Sequence, residues 1–259
     1  MKSLGTGLGA GSVRNVTVLR KRLLDFRARL GRFASLSRAR VDTAKLLRTG
    51  GIQAMIFGEG VTGVSDSMLY TQRTSAARAA APPAGCCGQD LDLALMMADA
   101  SASGRADPAF DAHKVPIATW ALAVWETWLP IPMLNQMMAS AIPTLRNAKR
   151  VWAMVKGPAA AVVATAARIG WQILNATQIW TDVGHLLDLS LDPPKVIAEH
   201  VFKAVERWRW KRIEKKHPYL AANGSGRGSF MAPSWSADVR PNSACLDRPV
   251  RSCADPATS

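Results

Sequence analysis

Tryptophan and arginine side chains alternate in a segment far along the chain, where Glu206 is followed by Arg-Trp-Arg-Trp-Lys-Arg. Arginine holds phosphate groups and tryptophan stacks on bases, so the pattern is typical of a nucleic-acid contact. On a helix, Trp208 and Trp210 point about 200° apart, so only one of them can face a core. We expect Arg207, Arg209 and Trp210 to contact nucleic acid. The alternative is a helix with Trp208 in the core and a solvated basic face.

A second set of bases fills the first fifty residues, which carry twelve Lys or Arg and only two Asp. Apolar residues recur there at spacings of three and four, which is one face of an α-helix; they are Val16, Leu19, Leu23, Phe26, Leu30 and Phe33. Such a helix packs one face on protein and offers the other to an anion. We expect Arg20, Lys21, Arg27 and Arg29 to contact the phosphate backbone of RNA or DNA.

Carboxylates do not occur in a catalytic pattern. Asp182 stands in Ile179-Trp-Thr-Asp-Val-Gly, which resembles the metal-binding turn of an RNase H fold, although Val183 separates the aspartate from the glycine. Two-metal nucleases need several carboxylates converging on ions about 4 Å apart, and no such set follows. The four histidines have no metal-ligand spacing. We therefore expect a turn aspartate, no catalytic residue, no metal or cofactor, no small-molecule substrate, and a protein that is not an enzyme.

Charge and composition limit the partners. The net charge is +14 and 48% of the residues are hydrophobic, so the chain is long and apolar enough for a core with a basic surface. Nucleic acid, an anionic membrane surface or an acidic protein suit such a surface. Four cysteines without metal-ligand spacing indicate free thiols in a reducing compartment. No apolar run reaches the length of a membrane span.

The order of elements predicts a mainly α protein, a helical array with a small β-hairpin or three-stranded patch near residues 171–191. Gly50-Gly51 is predicted to end a helix, Pro116 to precede one, and Pro143 to separate two. Residues 223–259 have the composition of a disordered tail. Helices are predicted over residues 13–34, 41–48, 65–80, 90–98, 117–128, 133–141, 144–155, 158–169 and 194–216. The predicted units are a basic helical segment (1–81), a helical domain with the β element (89–222) and the tail.

Six stretches carry a resemblance to a known family: Leu46-Leu-Arg-Thr-Gly-Gly-Ile-Gln-Ala-Met, Gly63-Val-Ser-Asp, Ala79-Ala-Ala-Pro-Pro-Ala-Gly, Gly104-Arg-Ala-Asp-Pro-Ala-Phe, Trp120-Ala-Leu-Ala-Val-Trp-Glu and Leu191-Asp-Pro-Pro. Together they resemble the region that follows the reverse-transcriptase core in non-LTR retrotransposon polyproteins of algal protists, over residues 4–222. The resemblance implies a thumb-like segment in 1–81, a connection-like domain in 89–222, and the polymerase palm as a partner.

The polymerase active site has no counterpart here. A palm holds its two metals with carboxylates, typically in a Tyr-x-Asp-Asp turn. The two tyrosines, Tyr70 and Tyr219, do not precede an Asp pair. The resemblance therefore implies a fragment without the palm, and no catalytic residue is carried over to this chain.

The sequence thus predicts a non-catalytic, nucleic-acid-binding thumb and connection fragment of a retroelement reverse transcriptase. An intracellular location follows, nuclear or cytoplasmic. The alternative is a basic helical module that binds a protein or a membrane surface. Its arginine-rich start also resembles a mitochondrial targeting segment, so that module could belong to an organelle.

Overall fold

Helices form most of this fold, as a computed structural model describes it for residues 14–81 and 90–218 and for the backbone of Lys2–Ser3 and Thr6–Gly7. The helices are α1 Thr17–Ala28, α2 Leu30–Arg38, α3 Thr43–Leu46, α4 Ile52–Ile56, α5 Glu59–Thr62, α6 Asp66–Ala80, α7 Leu91–Ser101, α8 Pro108–Trp125, α9 Ile131–Arg146, α10 Val151–Met154, α11 Pro158–Arg168 and α12 Pro194–Lys216. The mainly α prediction is confirmed. The predicted tail, residues 223–259, lies outside the described residues, as do all four cysteines.

The strands are short. Lys2–Ser3 (β1) pairs with Thr6–Gly7 (β2). Gln172–Ile173 (β3), Gln178–Trp180 (β4) and Leu186–Asp188 (β5) form an antiparallel sheet in that order. Ile173, Ile179 and Leu187 are opposite one another in register and buried, so one face of this sheet covers the core. This confirms the predicted β element between residues 171 and 191.

The apolar stripe of the first helix is buried as its spacing predicts. Leu19, Leu23 and Phe26 are each less than a tenth exposed. The single helix predicted for residues 13–34 is instead two helices, α1 and α2, because the backbone N–H of Arg29 bonds to the Phe26 carbonyl at 2.9 Å. That i→i−3 bond tightens the last turn of α1 and ends it.

The glycine pair does not end a helix, so that prediction was wrong. Leu47–Gly51 form a π-helical turn that leads directly into α4. A Cβ on Gly51 would lie 3.0 Å from both Leu47 Cδ1 and Phe26 Cε2. Glycine is needed at that position because α1 approaches the backbone closely, and not because the chain must turn.

Two prolines lie within helices, where the sequence predicts Pro116 before a helix and Pro143 between two helices. Asp107 caps α8 by accepting from the Ala109 N–H at 2.9 Å, so this helix begins at Pro108 and continues through Pro116. In the same way α9 continues through Pro143 and ends at Arg146. Residues 147–150 then separate α9 from α10, where the sequence predicts one helix over 144–155.

One hydrophobic cluster holds the elements together. It includes buried residues of α1, α4, α6, α8, α11, the sheet and α12. Both predicted units, 1–81 and 89–222, contribute to it, so the two ranges pack around a shared core. The longest helix, α12, lies against α8 and contributes Ile197, Val201, Ala204 and Val205 to this core.

Buried charges connect four of these elements. Arg73 on α6 is 2% exposed; its Nη2 lies 2.7 Å from Asp92 Oδ1 on α7 and 2.8 Å from Asp107 Oδ2 at the start of α8. Arg209 on α12 lies 2.5 Å from Asp99 and 3.2 Å from Asp107. We call these two arginines and three aspartates the buried ion network.

The network controls the charge of its members. Burial alone would raise the pKa of Asp107, but the guanidinium groups of Arg73 and Arg209 overcome this and hold that pKa below its usual value. Arg212 and Lys216 add partners for Asp92 from the last turns of α12, at 3.4 Å and 3.1 Å. The position of α12 against α6, α7 and α8 therefore depends on paired buried charges.

Asp107→Asn is expected to lower the free energy of unfolding by about 3 kcal/mol, because it leaves two buried guanidinium groups without their shared carboxylate. Asparagine keeps an oxygen for the Ala109 N–H. The loss should be largest above pH about 4, where the unfolded carboxylate is ionised, and should shrink as the pH falls through the lowered folded pKa.

Urea denaturation at several pH values measures this difference. Asp111→Asn is the matched control, because Asp111 forms a single, partly exposed ion pair with Lys114 at 3.0 Å; we expect a change of at most about 1 kcal/mol. Equal small effects of both substitutions would contradict the assigned role of the network.

Candidate nucleic-acid interface

The four bases predicted at the N-terminal site are exposed to solvent. Three of them lie on α1, and the fourth follows its last residue. Arg20, Lys21, Arg27 and Arg29 are all exposed. Arg20 and Arg27 are seven residues apart, which places them on one face within about 20°. In residues 14–81 and 90–218, no carboxylate lies within ion-pair distance of any of the four. Their charge is therefore open to an external anion.

Three further exposed bases on and after α2 extend this set. We call the N-terminal basic surface the group Arg20, Lys21, Arg27, Arg29, Arg32, Arg38 and Arg40. Two exposed acids accompany it, Asp25 and Asp42. Asp42 caps α3 by accepting from the Lys45 N–H at 3.0 Å. The surface therefore has a strongly positive potential, which attracts polyanions.

Other N-terminal bases have structural roles. Arg14 donates to the carbonyls of Thr62 and Gly63 at 2.7 and 2.6 Å. Arg22 lies 4.5 Å from the centre of the Phe57 ring. Arg48 donates to the Ala102 carbonyl at 2.8 Å. The sequence does not separate these bases from the free ones, because their partners are distant along the chain.

The second predicted patch is not assembled. Arg209 is buried in the ion network, so it is not available for a phosphate. Arg207 donates to Asp182 through Nε at 2.7 Å and Nη2 at 2.6 Å, and Trp210 is half-buried. Trp208 packs against the core. The alternative described for this helix is correct in placing Trp208 inward, but its basic face is not simply solvated, because Arg207 and Arg209 are paired with carboxylates.

Asp182 is held by neighbours of its own chain. It accepts from the Trp171 indole at 2.9 Å and from Arg207. Burial would raise the pKa of Asp182, but the hydrogen bonds from Arg207 and Trp171 and the charge of Arg207 together lower it. Among the residues that the structure describes, no three His, Cys, Asp or Glu side chains come together as a metal site. Asp182 therefore joins the β4–β5 turn to α12.

Burial favours the uncharged form of two titratable groups. Burial raises the pKa of Glu59 well above its usual value, and its Oε1 accepts from Gln72 Nε2 at 2.5 Å. Burial also lowers the pKa of His113 to about 3, and its Nδ1 lies 2.6 Å from the Ala109 carbonyl. Burial therefore disfavours a negative charge on Glu59 near the arginines.

One group of exposed bases that the sequence pattern did not predict lies around α10: Arg146, Lys149, Arg150 and Lys156. The signal that could have revealed it is an absence, because no Asp or Glu occurs between Glu126 and Asp182. The sequence predicts one continuous helix over 144–155. In the structure the chain between α9 and α10, residues 147–150, is not helical, and two of these bases lie there. We call these four residues the α10 basic surface.

Comparison with known proteins gives no family: no family model matches the chain, and neither does any curated protein or solved structure. In the described part of the chain, no helix has the length and apolar character to cross a bilayer.

Glu59→Gln is expected to stabilise the protein increasingly as the pH rises from about 4 toward the raised pKa of the folded Glu59. In this range the unfolded Glu59 loses its proton more readily than the folded one, so the unfolding free energy of the natural protein falls with pH by up to about 1.4 kcal/mol per unit. Glutamine does not titrate and keeps an oxygen for Gln72.

Thermal or urea denaturation across this pH range provides the measurement. Glu199→Gln, at an exposed position beside Arg105, should give a difference from the natural protein that does not grow with pH. If the stability difference between Glu59→Gln and the natural protein also does not change with pH, the raised pKa of Glu59 is refuted.

Proposed function

We propose that this protein is a non-catalytic module that binds nucleic acid by its phosphate backbone, with the N-terminal basic surface as the main contact. One observation carries the proposal: exposed bases without carboxylate partners in the described chain follow a helix whose other face is buried. Such bases are the usual source of sequence-independent affinity for RNA and DNA.

The spacing of the bases fits a polyanion better than a single small anion. Arg20 and Arg27 are separated by about 10 Å along the helix axis, at 1.5 Å per residue. Phosphates of one strand in duplex DNA recur at about 3.4 Å along the axis. A helix lying along a groove or a strand would therefore bring these side chains to separate phosphates.

Packing fixes the helix that carries the bases. Leu19, Leu23 and Phe26 are buried, and α1 lies against α4. The backbone is thus ordered before a ligand arrives, which reduces the entropy lost on binding. The resemblance to a reverse-transcriptase thumb fits this role, and a polymerase palm would be a neighbour in the parent polyprotein. The stripe of α1 is already covered by this chain, so a palm would have to use another surface.

A membrane-surface role is less well supported by the same helix. A helix that lies in a lipid interface inserts its apolar face among the acyl chains. Here that face is buried in the protein, and the large apolar side chains exposed among residues 20–42 are Leu24, Leu36 and Val41, 60%, 37% and 40% exposed and separate from one another in sequence. We therefore favour nucleic acid as the anionic partner.

A triple substitution tests this function. In the helix variant, Arg20, Lys21 and Arg27 are each replaced by glutamine. We expect weaker binding to duplex RNA and DNA in fluorescence anisotropy, because about three phosphate contacts are lost. The slope of log K against log salt should become shallower by about 2 to 3.

A matched control variant carries Lys195→Gln, Lys203→Gln and Lys215→Gln, three exposed bases of α12. It loses the same formal charge, and we expect it to keep most of the affinity. Circular dichroism checks that both variants are folded. Unchanged binding by the helix variant, or preferential binding of the natural protein to anionic vesicles, would overturn the proposal.

A further inference from the structure

One tryptophan brings α10 into contact with the segment that precedes α1. The guanidinium carbon of Arg14 lies 5.2 Å from the centre of the Trp152 ring, and that of Arg168 lies 4.4 Å from it. Arg14 lies three residues before the start of α1, Trp152 is the second residue of α10, and Arg168 is the last residue of α11. The cation–π contact of Arg14 therefore joins the chain before α1 to α10, and that of Arg168 joins α11 to α10.

The same two arginines hold the backbone between α5 and α6. Arg14 donates to the carbonyls of Thr62 and Gly63, and Arg168 donates to that of Val64. A Cβ on Gly63 would lie 2.9 Å from the Trp152 ring, so the backbone there is in close contact with the indole. We call Trp152, the two arginines and the backbone of residues 62–64 the Trp152 junction. Hydrogen bonds and packing fix this junction on several sides.

A small cluster of buried apolar residues packs the segment around α10 against its neighbours. Leu145, Val155, Ala161 and Ala164 are buried together, with Val151 and Trp152 packed against them. The flanking bases Arg146, Lys149, Arg150 and Lys156 remain exposed. The bases are thus presented by an ordered scaffold, between the end of α9 and the start of α11.

Negative charge near this segment is nearly absent. The carboxylate of Asp66 is taken by Arg168, whose Nε lies 2.9 Å from Oδ1. Glu59 is buried, and burial raises its pKa well above the usual value, which disfavours its charged form. In the two described ranges of the chain, no carboxylate lies within ion-pair distance of any base of the α10 basic surface. These four cations are therefore as free as those on α1.

We infer that the α10 basic surface is a second contact for the same nucleic-acid backbone, so that the bound strand or duplex extends from α1 across the Trp152 junction to residues 146–156. This inference rests on the proposed function, and it adds the direction in which the bound nucleic acid runs and the length of surface that it covers. It assigns Lys149, Arg150 and Lys156, from a part of the chain distant in sequence, to the binding surface.

The test uses a loop variant with Lys149→Gln, Arg150→Gln and Lys156→Gln, measured beside the helix and control variants. The probe is a duplex of about 20 base pairs, as RNA and as DNA, in a salt titration of fluorescence anisotropy. We expect the loop variant to bind at least about tenfold more weakly near physiological salt, with a shallower salt slope, while the control variant changes little. Comparing the two duplexes distinguishes RNA from DNA as the source of the phosphates.

The outcomes distinguish a failure of the extension to α10 from a failure of the proposed function. If the helix variant binds weakly and the loop variant behaves like the control, the extension to α10 is wrong and the proposed function stands. If neither variant differs from the control, whether all bind normally or all are weakened alike, both ideas are overturned. Circular dichroism and thermal unfolding of the loop variant exclude a loss of fold as the cause of weak binding.

Discussion

The carboxylate of Asp107, held between Arg73 and Arg209, is the interaction on which the arrangement of helices depends. It joins α6, α8 and α12, and Asp92 and Asp99 bring α7 into the same network. A buried charge is costly unless it is paired and hydrogen-bonded. Few alternative packings could satisfy all five groups at once, so the network selects one position for α12 and, through the core, for its neighbours.

This pairing also divides the bases into two classes. Arg73, Arg209, Arg14 and Arg168 are buried or part-buried, and their donors are used by carboxylates and backbone carbonyls. The bases of α1, α2 and the segment around α10 lie outside and have no carboxylate partner in the described chain. Both classes of bases contribute to the positive net charge of the chain. The second class is the one that can act on another molecule, and its members lie on either side of the Trp152 junction.

Local sequence signals predicted what local physics determines. The stripe of Leu19, Leu23 and Phe26 located α1, Ser65 marked the start of α6, and Pro194 marked that of α12. The signals failed where a distant residue decides. Gly51 reads as a helix end, but Phe26 packs against it.

The same limit applies to the candidate site. Arg20, Lys21, Arg27 and Arg29 were predicted as exposed bases and are exposed. Arg209 was also predicted as a phosphate contact, yet it pairs with Asp99, which is 110 residues away in sequence. The α10 basic surface was missed because a helical pattern over residues 144–155 masks the break that exposes Lys149 and Arg150.

Lysine footprinting on the unaltered protein locates the nucleic-acid contact directly. Each lysine's acylation rate is measured by mass spectrometry with and without a nucleic-acid duplex. We predict that Lys21, Lys149 and Lys156 are protected together by the duplex, while Lys195, Lys203 and Lys215, exposed on α12, react as fast as in the free protein. Equal protection of both groups, or protection of neither, would contradict a defined binding surface on α1 and around α10.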